Sequence, residues 1–132
     1  MQKNTLKKNE ILSLRDVISD TFENANSFIQ FPFKIVIKET KLPTTYPAQA
    51  LFTVPKRNFK LAVKRNLIRR RIKEAYRKNK HELYQHLSAD NKQLAVVIIY
   101  IGKKELDYQE IEKKLILSLH KIIEKTPKLP NN

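Results

Sequence analysis

The stretch QLAVVIIYIG, residues 93–102, contains the longest apolar run of this 132-residue chain. Both of its parities are apolar: Leu94, Val96, Ile98 and Tyr100 alternate with Ala95, Val97 and Ile99. A strand with one wet face alternates apolar with polar residues, so this run predicts a central strand covered on both sides. It falls far short of the roughly 20 residues needed to span a bilayer.

Two upstream segments have the half-covered pattern that such a strand needs beside it. In FPFKIVIKET, residues 31–40, Phe33, Ile35 and Ile37 point one way and Lys34, Val36 and Lys38 the other. In AQALFTVP, residues 48–55, Ala48, Ala50, Phe52 and Val54 share a face. The loop between them, KLPTTYP, carries two prolines. Their closeness in sequence predicts an antiparallel hairpin.

Helices are expected on either side of these strands. SLRD, residues 13–16, has the form of a capping box with Asp for Glu, and Leu14, Ile18 and Phe22 recur behind it. The spacing predicts a helix over about 14–24. DYQE, residues 107–110, opens a last helix with the stripe Ile111, Leu115, Leu119 and Ile122. The expected order is α-β-β-α-β-α, an α+β fold built as a two-layer α/β sandwich on a mixed sheet. Residues 1–12 are expected as a basic flexible arm, 13–126 as a single domain and 127–132 as a tail.

The remaining helix carries the charge. Residues 56–80, KRNFKLAVKRNLIRRRIKEAYRKNK, hold twelve basic residues and one acidic, +11 of the chain's net +14. At about 100° per residue, Leu61, Ile68, Ile72, Ala75 and Tyr76 fall in one arc, the expected buried face. Asn66, Arg69, Arg70, Lys73 and Arg77 form a second arc, and Arg65 falls between the two, at the rim where helix meets sheet. The ordinary reading of a charged helix face is solvation. Solvated faces mix signs at i,i+4. This one has Glu74 alone, so a polyanion is the better reading. A membrane surface would call for exposed Phe, Leu or Trp among the charges. Guanidinium forks suit phosphate, and the Asn66 amide suits a ribose hydroxyl or a base edge. Nucleic acid is therefore expected, and no membrane.

At KLAVKRNLIRRRIKEAYR the pattern resembles the signature helix of the bacterial ribonuclease P protein family, roughly A-V-x-R-N-R-I-K-R-x-x-R-x-A-[FY]. Ala62 and Val63 match its first places, and Arg65 and Asn66 the start of its Arg-Asn-Arg triplet. Ile68, Arg69, Arg70, Lys73, Ala75 and Tyr76 match the later ones. Leu67 stands where the triplet's second Arg is expected, Pro55 where a Ser is usual, and Ala25 where a turn Gly is common. FTVPKR, residues 52–57, is similar to the strand end that precedes the family's helix.

The resemblance implies a fold with a left-handed βαβ crossover, ribosomal protein S5 domain 2-like, against the usual right-handed rule. It implies the protein subunit of a ribonucleoprotein that removes the 5′ leader of precursor tRNA. The partners would be ribonuclease P RNA and precursor tRNA, one protein monomer per RNA, for a chain that composition already reads as soluble and cytoplasmic. Catalysis would belong to the RNA, with Mg2+ bound mainly there. Lys56, Arg57, Lys64, Arg65, Asn66, Arg69, Arg70 and Lys73 would bind the catalytic RNA. Ile18, Phe22, Lys34, Val36 and Lys38 would border a groove for the single-stranded leader. Ile18 is aliphatic where the family often has an aromatic, and Phe22 reads equally as a core residue.

Catalytic constellations are not expected. His81, His86 and His120 form no metal-ligand pattern, the acids are dispersed, and the single Gly leaves no phosphate-cradling loop. With no Cys, disulfides and thiolate-bound metals are excluded. The first residues lack the apolar core of a secretory signal. Two other readings stay open on composition: a structural RNA-binding protein of ribosomal type, and a DNA-binding regulator, which would normally need a helix-turn-helix pair or a dimer.

Overall fold

The structure is a computed structural model that describes residues 5–12 and 25–126. The expected helix over 14–24, with Ile18 and Phe22, and the tail from 127 lie outside those residues. Four strands form one sheet: β1 (Asn26–Gln30), β2 (Phe33–Glu39), β3 (Ala48–Thr53) and β4 (Leu94–Tyr100), in the spatial order β1-β2-β4-β3. Among the described residues three α-helices accompany it, α1 (Ala62–Asn79), α2 (His81–Ala89) and α3 (Tyr108–Lys125).

β4 is central, as its two apolar parities demand. Leu94, Val96, Ile98 and Tyr100 join the main core beneath the helices, while Ala95 and Val97 join a second, smaller cluster on the opposite face. β2 pairs antiparallel with β4, and β3 pairs parallel with it. The expected hairpin between β2 and β3 is therefore not formed, because β4 lies between them. A strand apolar on both faces needs a hydrogen-bonded neighbour on each edge and cover on each side. Flanking it with two strands meets the first need, and the helices on one face with Leu12 and Leu42 on the other meet the second; a β2–β3 hairpin would leave β4 at an edge.

The hairpin partner of β2 is instead β1, paired from Asn26↔Ile37 to Gln30↔Phe33 through a turn with a cis Phe31–Pro32 bond. The sequence pattern does not predict this fourth strand. Its residues are mostly exposed or half-exposed, so NSFIQ carries little of the alternation that marks its neighbours. The separate helix α2 is a second addition. It follows α1 across Lys80 and ends in a turn where Asn91 takes a positive φ of 57°, a conformation that Asn tolerates.

The helices pack on one face, giving two layers. Ile68, Ile72, Ala75 and Tyr76 of α1, Leu83 and Leu87 of α2, and Ile111, Leu115, Leu119 and Ile122 of α3 meet Phe33, Ile35, Ile37, Ala50 and Phe52. The Phe52 and Tyr76 rings meet edge to face, 5.2 Å apart. α3 starts where DYQE predicts, with Asp107 Oδ1 accepting from the Glu110 N–H at 2.9 Å. Leu61, expected in the buried arc of α1, is 68% exposed. It occupies the N-cap with extended backbone, so the helical wheel does not apply to it.

Residues 5–12, expected within a free arm, lie against the domain. Leu12 is buried, its N–H bonds to the Ala50 carbonyl at 2.9 Å, and Ile11 bridges to Ala50 in parallel. Glu10 and Lys80 are both almost wholly buried and form an ion pair. Lys80 also donates to the Thr5 carbonyl, and Tyr84 donates to Glu10 at 2.6 Å. Burial pushes the Glu10 carboxyl up, but the Lys7 N–H, Lys80 and Tyr84 together hold it below its usual value of 4.5.

Glu10→Ala would leave Lys80 buried and unpaired, and is expected to lower stability by about 3–5 kcal/mol in urea denaturation. Because the folded pKa is depressed, the stabilisation is full above the ordinary Glu value of 4.5 and is lost as pH falls through the lower folded value. The wild type should therefore lose stability relative to Glu10→Gln as the pH drops below about 4.5. Equal acid dependence of the two urea midpoints would contradict the pair's role.

Candidate nucleic-acid interface

The core packing of α1 fixes where its cations point. With Ile68, Ile72, Ala75 and Tyr76 buried, Asn66, Arg70 and Lys73 are exposed on the far side, and Arg69 is half-exposed beside them. Arg69 donates to the Asn66 Oδ1 at 2.8 Å, which couples two of the expected RNA-binding residues. Arg70 and Lys73 make no ion pair among the described residues. Lys56 and Arg57 lie on the turn between β3 and α1, also without a carboxylate partner among the described residues.

Arg65 behaves differently from the wheel's expectation of a rim position. Its Nη1 turns back to the carbonyls of Phe59 and Lys60, at 2.8 and 2.9 Å. Arg65 thus pins the turn that delivers the chain into α1. The start of α1 adds to the positive field: Leu61 offers no side-chain cap, and the first turn holds no acid.

Carboxylates neutralise a separate set of cations along the flanks. Glu105 accepts from Lys64 at 2.6 Å and from Arg71 at 3.0 Å. The Lys64 bond, more than the Arg71 one, draws the Glu105 carboxyl below its usual range. Glu74 pairs with Arg77 at 2.6 Å, and that hydrogen bond lowers its carboxyl likewise. Of the residues expected to bind catalytic RNA, Lys64 is therefore engaged within the protein. Arg71, not among those expected, ties α1 to the loop before α3 through Glu105 and the Leu106 carbonyl at 2.7 Å.

A second surface lies on the sheet face away from the helices. Register places Lys34 opposite Ile99, Val36 opposite Val97 and Lys38 opposite Ala95, with Thr53, Leu51 and Gln49 beyond them on β3. On the other side, Ile29 and Ser27 of β1 pair with Lys34 and Val36. The half-buried Val36, Leu51 and Ile99, around a buried Val97, thus form an apolar floor between two lysines spaced by roughly 13 Å of strand. Lys34 is exposed and Lys38 half-buried. Lys34, Val36 and Lys38 come together on one face as expected, and Ile18 and Phe22 lie outside the described residues. Ile29, Leu51, Val97 and Ile99 were missed as members of this surface. The pattern of β3 and β4 gives the faces of Leu51, Val97 and Ile99 but not which strands adjoin, and β1, with Ile29, leaves too little alternation to read.

The family model for Ribonuclease P matches residues 6–123. A ribonuclease P protein component from Porphyromonas gingivalis is 30% identical over 122 residues, covering 92% of this chain and 89% of the relative. One from Petrotoga mobilis is 30% identical over 129 residues, covering 92% and 98%. The solved ribonuclease P protein of Thermotoga maritima superposes with a TM-score of 0.64 at 21% identity, over 85% of this chain and 96% of its own. That of Staphylococcus aureus gives 0.64 at 19% identity, over 89% and 99%. These structures share the fold.

The two classes of cation predict different stability effects. Arg70→Ala and Lys73→Ala should leave the unfolding free energy from urea denaturation within about 0.5 kcal/mol of wild type. Arg71→Ala, which strands the Leu106 carbonyl and leaves Glu105 with Lys64 alone, should cost about 1–3 kcal/mol.

Proposed function

The chain belongs to the ribonuclease P protein family, and from that premise we propose that its two surfaces hold two different RNAs. The outward face of α1 and the turn before it, Lys56, Arg57, Asn66, Arg69, Arg70 and Lys73, bind the catalytic RNA. Arg65 shapes that surface and offers its remaining guanidinium N–H groups to it. The sheet face with Lys34, Val36 and Lys38 holds the single-stranded 5′ leader of precursor tRNA. One observation carries the reading: the cations of the outward helix face lack carboxylate partners among the described residues, while those on the flanks have them. Exposed like charges repel one another and gain most when phosphates arrive.

The groove suits a leader of variable sequence. An apolar floor accepts any base or ribose, and flanking ammonium groups follow the backbone without reading sequence. The protein subunit performs no chemistry in this proposal. Among the described residues no group of three or more His, Cys, Asp or Glu side chains is placed to hold a metal ion. The chemistry that magnesium supplies when bound, activating water against a phosphodiester, is assigned to the RNA. The protein contributes binding and orientation, as one monomer per RNA, in the cytoplasm where precursors are processed. No helix among the described residues is long and apolar enough to cross a membrane.

The direct test adds this protein to a bacterial ribonuclease P RNA and follows cleavage of precursor tRNA at low magnesium. Cleavage should rise on addition, and Arg70→Ala with Lys73→Ala should reduce the rise. No stimulation by the wild type would refute the assignment. The affinity for the catalytic RNA should fall with salt on a log–log slope of about −3.5 to −4.5, for about five phosphates.

The groove is tested separately. Lys34→Ala should weaken holoenzyme binding to a precursor with a leader by about two- to fivefold, on the scale of one surface charge–phosphate contact, and leave mature tRNA unchanged. Equal losses for the two ligands would remove Lys34 from the leader path.

A further inference from the structure

A cleft of about 350 Å³ opens at the end of the sheet, between the β1–β2 turn and the loop that leads into α3. Its walls are Phe31, Pro32, Tyr100, Ile101, Gly102 and Leu106, and Lys103 and Lys104 stand on its rim. Phe31 is 61% exposed, an aromatic ring at the mouth of an apolar cleft. The neighbouring β1 residue Ile29 is 59% exposed, so the apolar surface continues onto the strand.

The cleft is held in shape before anything binds. The Ile101 N–H bonds to the Pro32 carbonyl at 2.8 Å, which extends the β2–β4 ladder past its last pair. The Tyr100 hydroxyl donates to the Lys104 carbonyl at 2.5 Å, and Arg71 anchors the Leu106 carbonyl at 2.7 Å. Gly102, the chain's single glycine, lets the loop seat this closely. A Cβ there would lie 3.2 Å from both the Pro32 Cβ and the Tyr100 ring. Ligand sites are typically such pre-formed, mostly apolar concavities with a few polar groups at the edge.

Its position gives the occupant. Ile101 continues the parity of Ile99, which pairs with Lys34 on the groove face. The same loop carries Glu105, bonded to Lys64 and Arg71 of α1. The cleft therefore lies between the proposed leader groove and the basic helix. Lys103 and Lys104 are exposed and have no acidic partner among the described residues. We propose that this cleft takes one unpaired nucleobase of single-stranded RNA, packed against the Phe31 ring, with the adjoining phosphates on Lys103 and Lys104. The inference rests on the function proposed above and adds a base-binding pocket to it. The base comes either from the precursor's leader or from the catalytic RNA, since both are phosphate-linked nucleotides.

The test uses the full chain carrying Phe31→Ala, or Lys103→Ala with Lys104→Ala, with folding checked by urea denaturation. Each is measured for affinity to ribonuclease P RNA alone, and as holoenzyme for precursor tRNA with and without a leader. Phe31→Ala should cost at least about fivefold in one arm, the loss of a single base stack, with the salt slope unchanged. The lysine pair should flatten the slope in that same arm by about 1.4. Loss confined to the leader-bearing precursor assigns the base to the leader; loss with the RNA alone assigns it there. An abasic nucleotide at the contacted position should reproduce the loss and make Phe31→Ala silent. Should Phe31→Ala not fold, the lysine pair decides by its slope. Unchanged affinity in every arm overturns the pocket while leaving the broader function intact, provided the wild type binds both RNAs. Failure of the wild type to bind either overturns both. Self-association that Phe31→Ala abolishes would give the cleft to a second copy and overturn the proposal.

Discussion

Burial of β4 on both faces is the constraint from which the rest of the structure follows. Seven consecutive residues from Leu94 to Tyr100 are apolar, and nearly all are buried. Such a strand has to acquire a neighbour on each edge and a cover on each side. β2 and β3 supply the edges, one antiparallel and one parallel, and the parallel pairing requires a long connection. That connection is α1 and α2. The basic helix α1 is thereby tied to the sheet at both ends, and its Ile68, Ile72, Ala75 and Tyr76 hold it at a fixed rotation. Docking on one side of α1 is what turns a row of charges into a directed surface.

The distribution of carboxylates then separates the cations by task. Glu105 and Glu74 lie where they neutralise Lys64, Arg71 and Arg77, cations near the neighbouring loop or farther along the helix. Arg70 and Lys73 lie beyond their reach. Surface ion pairs contribute little stability individually. Their larger effect here is geometric, since Arg71 fixes the loop before α3 and Arg65 fixes the turn before α1. Two members of a basic run thus act as struts, and the others remain for phosphate.

The opposite sheet face follows from the same order of strands. Because β4 lies between β2 and β3, Val36, Val97 and Leu51 fall in one row, flanked by the lysines of β2. Had β2 and β3 formed a hairpin, Lys34 and Val36 would have faced β3 directly and the floor would have lost Val97 and Ile99. The buried pair Glu10–Lys80 serves this face indirectly, by holding residues 5–12 so that Leu12 packs beside Ala95 and Val97.

Local pattern determined the element types where burial leaves a periodic trace: the alternation of β2 and β3, the double-faced β4, the stripe and Asp107 cap of α3, and the buried arc of α1 except Leu61. It also determined which residues of α1 face outward, since rotation about a helix is set by the stripe alone. Strand β1, with little buried surface, left no such trace, and the break at Lys80 between α1 and α2 was hidden in a continuous helix-forming run. Tertiary structure alone decided strand order, the sorting of Lys64 and Arg71 from Arg70 and Lys73, and the docking of residues 5–12. Each of these depends on contacts between residues far apart in the chain, Lys64 with Glu105 or Glu10 with Lys80. Periodicity records which way a side chain points; it does not record which distant group meets it.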